Sequence, residues 1–129
     1  MNPDIWGNHA WRFLHAVAHT YPEDPTDTDK EHYAELYMSL QYTLPCPVCQ
    51  EHYRDIVKTH PIQLDSRTEL EHWLMDIHNK VNRQLGQDEY SYSEIRTQLL
   101  FIAPNTSAQL WAITTLLVYF IGQYLLSDK

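Results

Sequence analysis

The chain has 129 residues, the length of one domain, and its 43% hydrophobic and 20% charged content is that of an ordinary globular protein. A formal charge of −8 with nine scattered Lys and Arg excludes a nucleic-acid footprint, and three glycines without a G-x-G-x-x-G or G-x-x-x-x-G-K run exclude a phosphate-cradling loop. Two cysteines exclude a disulfide scaffold, so the pair is expected to serve chemistry or metal binding.

The opening Met1-Asn2-Pro3-Asp4 is polar and acidic, and no signal peptide is expected. From Trp6 to Tyr21 the spacing predicts a first helix. Trp6, Phe13, Leu14 and Val17 are expected in the core. Gly7, Trp11 and His15 fall at i, i+4 and i+8 on one ridge, where a glycine, a ring and an imidazole leave room for a flat ligand.

An acidic, proline-containing loop follows Tyr21-Pro22. The second helix, from about Asp29 to Thr43, carries Tyr33, Leu36, Tyr37, Leu40 and Leu44 at helical spacing and is expected only to pack.

Pro45-Cys46-Pro47-Val48-Cys49 opens the third helix, because proline is tolerated in a first turn and not later. At a helix N-terminus the unpaired N–H groups favour a thiolate, which makes such a C-x-x-C pair nucleophilic. Cys49, Tyr53, Ile56 and Val57 share the face expected to be buried, while Cys46 is expected at the solvent-facing tip. One sulfur then meets a partner and the other a cofactor. His52 is open to three roles: ligand, tuning neighbour or surface residue.

Ser66-Arg67-Thr68-Glu69 has the form of a capping box, and Gly86 marks the expected stop of a fourth helix. Leu70, Trp73, Leu74, Ile77, Val81 and Leu85 form its expected core face. Asparagine is a poor interior helix former, so Asn79 and Asn82 beside His78 call for a reason. The expectation is that His78 and Asn82, one turn apart, line a cleft and hydrogen-bond a planar heterocycle held against Trp11 and Cys49.

A second S-x-x-E cap, Ser91 to Glu94, opens a short fifth helix within Tyr90 to Phe101. Leu110 to Leu126 holds no charged residue, and at ~1.5 Å per residue it reaches roughly 26 Å, close to a hydrocarbon core. A membrane anchor is expected there. The predicted architecture is all-α: a four-helix bundle with a short fifth helix over residues 1–103, and a hydrophobic, transmembrane tail over 104–129.

Four ordered motifs resemble the Erv/ALR-type FAD-linked sulfhydryl oxidases over about residues 6 to 92. They are Trp6-Gly7-x-x-x-Trp11-x-x-Leu14-His15, Tyr21-Pro22, Pro45-Cys46-x-x-Cys49-x-x-His52 and His78-Asn79-x-Val81-Asn82-x-x-Leu85-Gly86. The resemblance implies a bundle cradling FAD, with Cys49 beside the isoalloxazine ring and Cys46 open to substrate. It implies flavin contacts from Gly7, Trp11 and His15 on the first helix, and from His78, Asn79, Val81, Asn82 and Leu85 on the fourth.

Three departures stand out. Met75 and Tyr92 occupy positions where family members often carry a structural disulfide. Gln87 replaces a basic residue near the cofactor phosphates, with Lys80 and Arg83 as candidate substitutes. No shuttle cysteines exist outside the motif, so substrate must deliver electrons directly to Cys46 and Cys49, as in compact members found in large DNA viruses.

The implied activity is oxidation of protein dithiols to disulfides, with electrons passed through FAD to dioxygen and hydrogen peroxide as product. The implied partners are a protein dithiol or thioredoxin-like carrier, dioxygen, a membrane through residues 110–126, and a second copy through the first two helices. The expected location is a virion or host intracellular membrane, with the catalytic domain on the cytosolic side. No metal is expected. The rival reading is a non-enzymatic zinc module using Cys46, Cys49 and two of His52, His72 and His78. A thioredoxin-type reductase needs a strand before the cysteines, and none is readable.

Overall fold

A computed structural model describes residues 1–99, with side chains to residue 97. Among these residues there are helices and no strands. They are α1 (Pro3–His19), α2 (Asp27–Thr43), α3 (Pro47–Thr59), α4 (Arg67–Gln84) and α5 (Tyr92–Glu94), the last continued by a π-helical segment, Ile95–Leu99. The expected anchor at 110–126 lies outside the described residues. Within them, no helix is long and apolar enough to cross a membrane.

Local chemistry sets the helix ends. Asn2 caps α1 by accepting from the Asp4 N–H at 3.1 Å, with Pro3 in the first turn, so this helix starts three residues before the expected Trp6. Thr26 and Asp29 form a reciprocal capping box that starts α2 at Asp27. Ser66 caps α4 by accepting from the Glu69 N–H. Gly86, at φ 67°, ends α4 in a Schellman turn: Gln87 N–H reaches Asn82 O at 2.9 Å and Gly86 N–H reaches Arg83 O at 3.2 Å. Ser91 and Glu94 complete the expected box at α5.

Helix α1 packs on α4 and α2 packs on α3, while α3 also meets α4 and the π-helical segment returns to α1. The shared core comprises Leu14 and Ala18 of α1, Tyr37 of α2, Tyr53 and Ile56 of α3, and Leu70, Trp73, Leu74 and Ile77 of α4. Burying these side chains removes apolar surface from water, which stabilises the fold by ~25 cal/mol per Å² and is the main drive to fold.

Three tyrosines, Tyr21, Tyr37 and Tyr53, serve this core, and each buried phenol ties one element to the backbone of another. Tyr37 donates to Leu14 O at 2.8 Å, Tyr53 to Tyr37 O at 3.1 Å and Tyr21 to Leu64 O at 2.8 Å. Trp73 Nε1 donates to His60 O at 3.0 Å. Burial pushes the phenols of Tyr37 and Tyr53 well above the usual range, so they remain neutral donors.

Two core expectations need correction. Phe13 is 60% exposed, because α1 turns Leu14, His15 and Ala18 inward and leaves Phe13 on the opposite side. Leu85 is also 60% exposed, since it caps α4 at the mouth of a cavity rather than within its core face.

Position 92 is held by polar bonds. Tyr92 donates a short hydrogen bond to Glu71 Oε2 and stacks on His72 at 4.5 Å, while His19 Nδ1 sits 2.7 Å from Glu71 Oε1. Glu71 is buried, and its two oxygens are thereby satisfied. Burial first, and the Glu71 bond second, hold the Tyr92 phenol above its ordinary pKa. A carboxylate clasp thus ties α5 to α4 and α1.

Candidate active site

The N-terminus of α3 presents the two cysteines as a disulfide, Cys46–Cys49, with Cα atoms 5.1 Å apart. Pro47 starts the helix and Cys46 is its N-cap, its Sγ accepting the Cys49 N–H at 3.2 Å. Both residues are half-buried, so the expected contrast of an exposed and a buried sulfur is corrected. The asymmetry lies elsewhere. Cys49 lines a cavity between the helices, and Cys46 stands outside that wall.

The cavity has a volume of about 270 Å³. Trp6, Gly7 and Trp11 of α1 form one side, and His78, Val81 and Asn82 of α4 form the other. Leu40 and Leu44, on the helix expected only to pack, close it from α2, and Tyr53 from α3. Tyr90 and Leu85 stand at its edge. The sequence offered no sign that Leu40, Leu44 or Tyr53 faced a ligand, since apolar residues at helical spacing read the same against a core or a cavity.

Trp11 stacks on His78 with centroids 3.9 Å apart and planes 11° from parallel. Behind them His15 Nε2 lies 3.2 Å from His78 Nδ1. Burial, and secondarily His78, lowers the His15 pKa to about 3, while burial lowers that of His78 to about 4. Both rings are therefore neutral near pH 7, and one proton serves the bond between them.

Of the predicted contacts, Gly7, Trp11, Cys49, His78, Val81, Asn82 and Leu85 line the cavity together. His15 and Asn79 do not. His15 supports His78 from behind, and Asn79 is buried with its amide spent on the chain beyond α4. Asn79 Nδ2 donates to Tyr90 O at 2.8 Å, and Tyr90 N–H donates to Asn79 Oδ1 at 2.9 Å. Asn82 Nδ2 reaches Asp88 O at 3.1 Å. The two mid-helix asparagines that called for a reason thus clasp the 86–91 segment, which sets Tyr90 at the cavity edge 5.4 Å from the His78 ring.

Lys80 and Arg83, the candidate phosphate partners, are not part of the cavity wall. They line a neighbouring open depression with Asp55, His60 and Gln84, the last of which also lines the cavity, and Arg83 pairs with Glu89 at 2.6 Å. Gln87 does line the cavity. The zinc reading finds no site, because no three His, Cys, Asp or Glu among the described residues gather as a metal would require. His52 is exposed at the cavity rim.

The wall suits a flavin. An isoalloxazine is flat, apolar on its faces and polar at its edges, and this wall offers stacked rings, aliphatic side chains and a few imidazole and amide groups. Trp6 Nε1 is the one buried side-chain polar atom with no partner among the described residues, and it belongs to a wall residue. A sulfur of a redox pair completes the set.

The sequence profile of the Erv1 / Alr family matches residues 8–100. A protein of Acanthamoeba polyphaga mimivirus bearing the name probable FAD-linked sulfhydryl oxidase is 41% identical over 97 residues, covering 73% of this chain and 68% of its own. The FAD-linked sulfhydryl oxidase ERV1 of Arabidopsis thaliana is 41% identical over 81 residues, 63% of this chain but 42% of the plant protein. The crystal structure of the FAD binding domain of Erv1 from Saccharomyces cerevisiae aligns with a TM-score of 0.72 at 28% identity, covering 77% of this chain and 94% of that one. This chain therefore belongs to the Erv1 / Alr family of FAD-linked sulfhydryl oxidases.

Proposed function

We propose that the protein oxidises dithiols to disulfides with FAD held in the interhelical cavity and dioxygen as acceptor. The observation that carries this reading is the position of the disulfide, which links the outside of the bundle to the cavity wall.

A substrate thiolate attacks Cys46 Sγ, breaking the Cys46–Cys49 bond and releasing Cys49 as a thiolate. A second substrate thiolate then attacks the substrate sulfur of the mixed disulfide, leaving the substrate oxidised and Cys46 reduced. The end of α3 favours the charge on both leaving sulfurs, since Cys46 is the N-cap and Cys49 lies in the first turn. As Cys46 and Cys49 re-form their disulfide, the two electrons they give up would pass to the bound flavin and from it to dioxygen, giving hydrogen peroxide. Trp11 and His78 would lie against the ring, and the buried, neutral His15 fixes the orientation of His78. The test is dithiol-dependent oxygen uptake by the purified chain loaded with FAD. Uptake that persists in Cys49→Ser would end the proposal.

The substrate class is a protein dithiol or a thioredoxin-like carrier, a reading supported by the lack of any cysteine beyond the pair. The uncharged run 110–126 supports a membrane anchor, with the domain of residues 1–103 on the cytosolic side of a virion or host intracellular membrane. Ile5 at 66% and Phe13 at 60% exposed leave two large apolar side chains of α1 outward, which supports pairing with a second copy.

A further inference from the structure

Helix α2 ends with no glycine and no basic residue in its last turn, so its final carbonyls need donors from another element. Helix α3 supplies them. Gln50 Nε2 donates to Tyr42 O at 3.0 Å and to Leu44 O at 2.7 Å, and Arg54 Nη2, one turn further along, donates to Gln41 O at 3.2 Å. The backbone N–H of Gln50 also donates to Cys46 O at 3.0 Å. One residue thereby holds the turn on both sides of Pro45. Pro45 and Pro47 flank Cys46 and carry no N–H, so this turn has fewer backbone donors of its own. Leu44, inside the turn, lines the cavity.

We infer that Gln50 is a positioning residue for the redox pair: its carboxamide keeps the turn of Cys46 in register with Cys49 while the disulfide is open. The inference rests on the reading above, in which the pair alternates between disulfide and dithiol. Both side-chain bonds of Gln50 run from a neutral amide to carbonyl oxygens, and neither involves a sulfur, so they persist after substrate has broken the S–S bond. Held in place, the Cys46 thiol meets Cys49 at a high effective concentration, which favours closure back to the disulfide. Without the bracket the dithiol gains conformations that the disulfide lacks, and the equilibrium moves toward the open form.

The test is the equilibrium of the full-length, FAD-loaded chain with reduced and oxidised glutathione at about pH 7 without oxygen, in which two glutathiones reduce the pair and leave as one glutathione disulfide. Alkylation of the free thiols followed by mass measurement reads the open fraction. Gln50→Leu keeps the bulk and removes both side-chain donations. Its pair is expected to open at about a tenfold lower ratio of reduced glutathione squared to oxidised glutathione, which is ~30 mV more oxidising for a two-electron couple. If Gln50→Leu yields no folded protein, Gln50→Asn, one methylene short of the two carbonyls, carries the same expectation. Arg54→Leu unties the same two helices at Gln41 and leaves the turn alone, so its pair is expected to stay within about twofold of the wild type.

A Gln50 variant whose pair opens at the wild-type ratio would overturn the inference, because the turn then keeps its place without the carboxamide. A loss of stability alone does not imitate the effect, since it leaves the thiol equilibrium of the folded chain where it was. Equal shifts in Gln50→Leu and Arg54→Leu would overturn the inference too, with a general loosening of α2 from α3 as the cause. A wild-type pair that neither glutathione nor dithiothreitol opens would end the thiol-exchange reading and this inference with it, an outcome separate from variants that match a reducible wild type.

Discussion

His15 Nε2 and His78 Nδ1 lie 3.2 Å apart inside the bundle, and Trp11 stacks on the outer face of His78 at 3.9 Å. Two helices that are far apart in sequence are thereby joined at the cavity by one shared proton. Burial keeps both rings neutral, with pKa values of about 3 and about 4.

Stability should therefore fall on mild acidification. Both histidines have folded pKa values below the unfolded value of ~6.5, so the unfolded chain binds more protons between these limits and stability declines as pH drops through them. Each should cost about 2 kcal/mol between pH 7.5 and pH 5. The helix-capping carboxylates Asp29 and Glu94 are held below their ordinary values by hydrogen bonds to Thr26 and Ser91. Denaturant midpoints measured at the two pH values check this, and His78→Gln should flatten part of the dependence.

Asn79→Ala should loosen the wall. The change removes both bonds to the Tyr90 backbone and leaves buried groups unpaired, at a cost of about 2–3 kcal/mol. Faster hydrogen exchange over residues 86–91 and a faster flavin off-rate are the expected readouts.

The Glu71 clasp gives a third prediction. Tyr92→Phe removes the phenol that satisfies Glu71 Oε2, and leaving that buried carboxylate short of a donor should cost about 1–3 kcal/mol. A double-mutant cycle with His19→Ala should be non-additive, because both side chains bind the same carboxylate. Additive losses would mean that the three residues do not act together.

Gly86→Ala tests the end of α4. At φ 67° an added Cβ strains the backbone, although the space around it is open, so a loss of about 1 kcal/mol is expected from conformation alone. Chemical denaturation measures it.

Much of this was legible in the chain. The caps at Ser66 and Ser91, the stop at Gly86 and the proline start before Cys49 are local rules, and local rules survive folding. The early start of α1 depended on Asn2, a cap that lies before any apolar period begins. Phe13 was misplaced because its 3.6-residue stripe joins Trp6 and Val17 as well as any core stripe would. Which side of a helix meets a neighbour is a tertiary fact. For the site, the ridge of Gly7, Trp11 and His15 and the polar group at 78–82 pointed to one cleft. That Asn79 clasps a backbone while Leu40 and Leu44 form the wall required the packing of α2 and the return of the 86–91 segment.

The most direct measurement is the visible spectrum of the FAD-loaded chain during anaerobic addition of a dithiol, in the wild type and in Cys49→Ser. The account predicts that the wild-type flavin band bleaches while the variant keeps bound, yellow flavin and bleaches at least about a thousandfold more slowly. A chain that takes up no flavin, or a variant that bleaches as fast as the wild type, would contradict it.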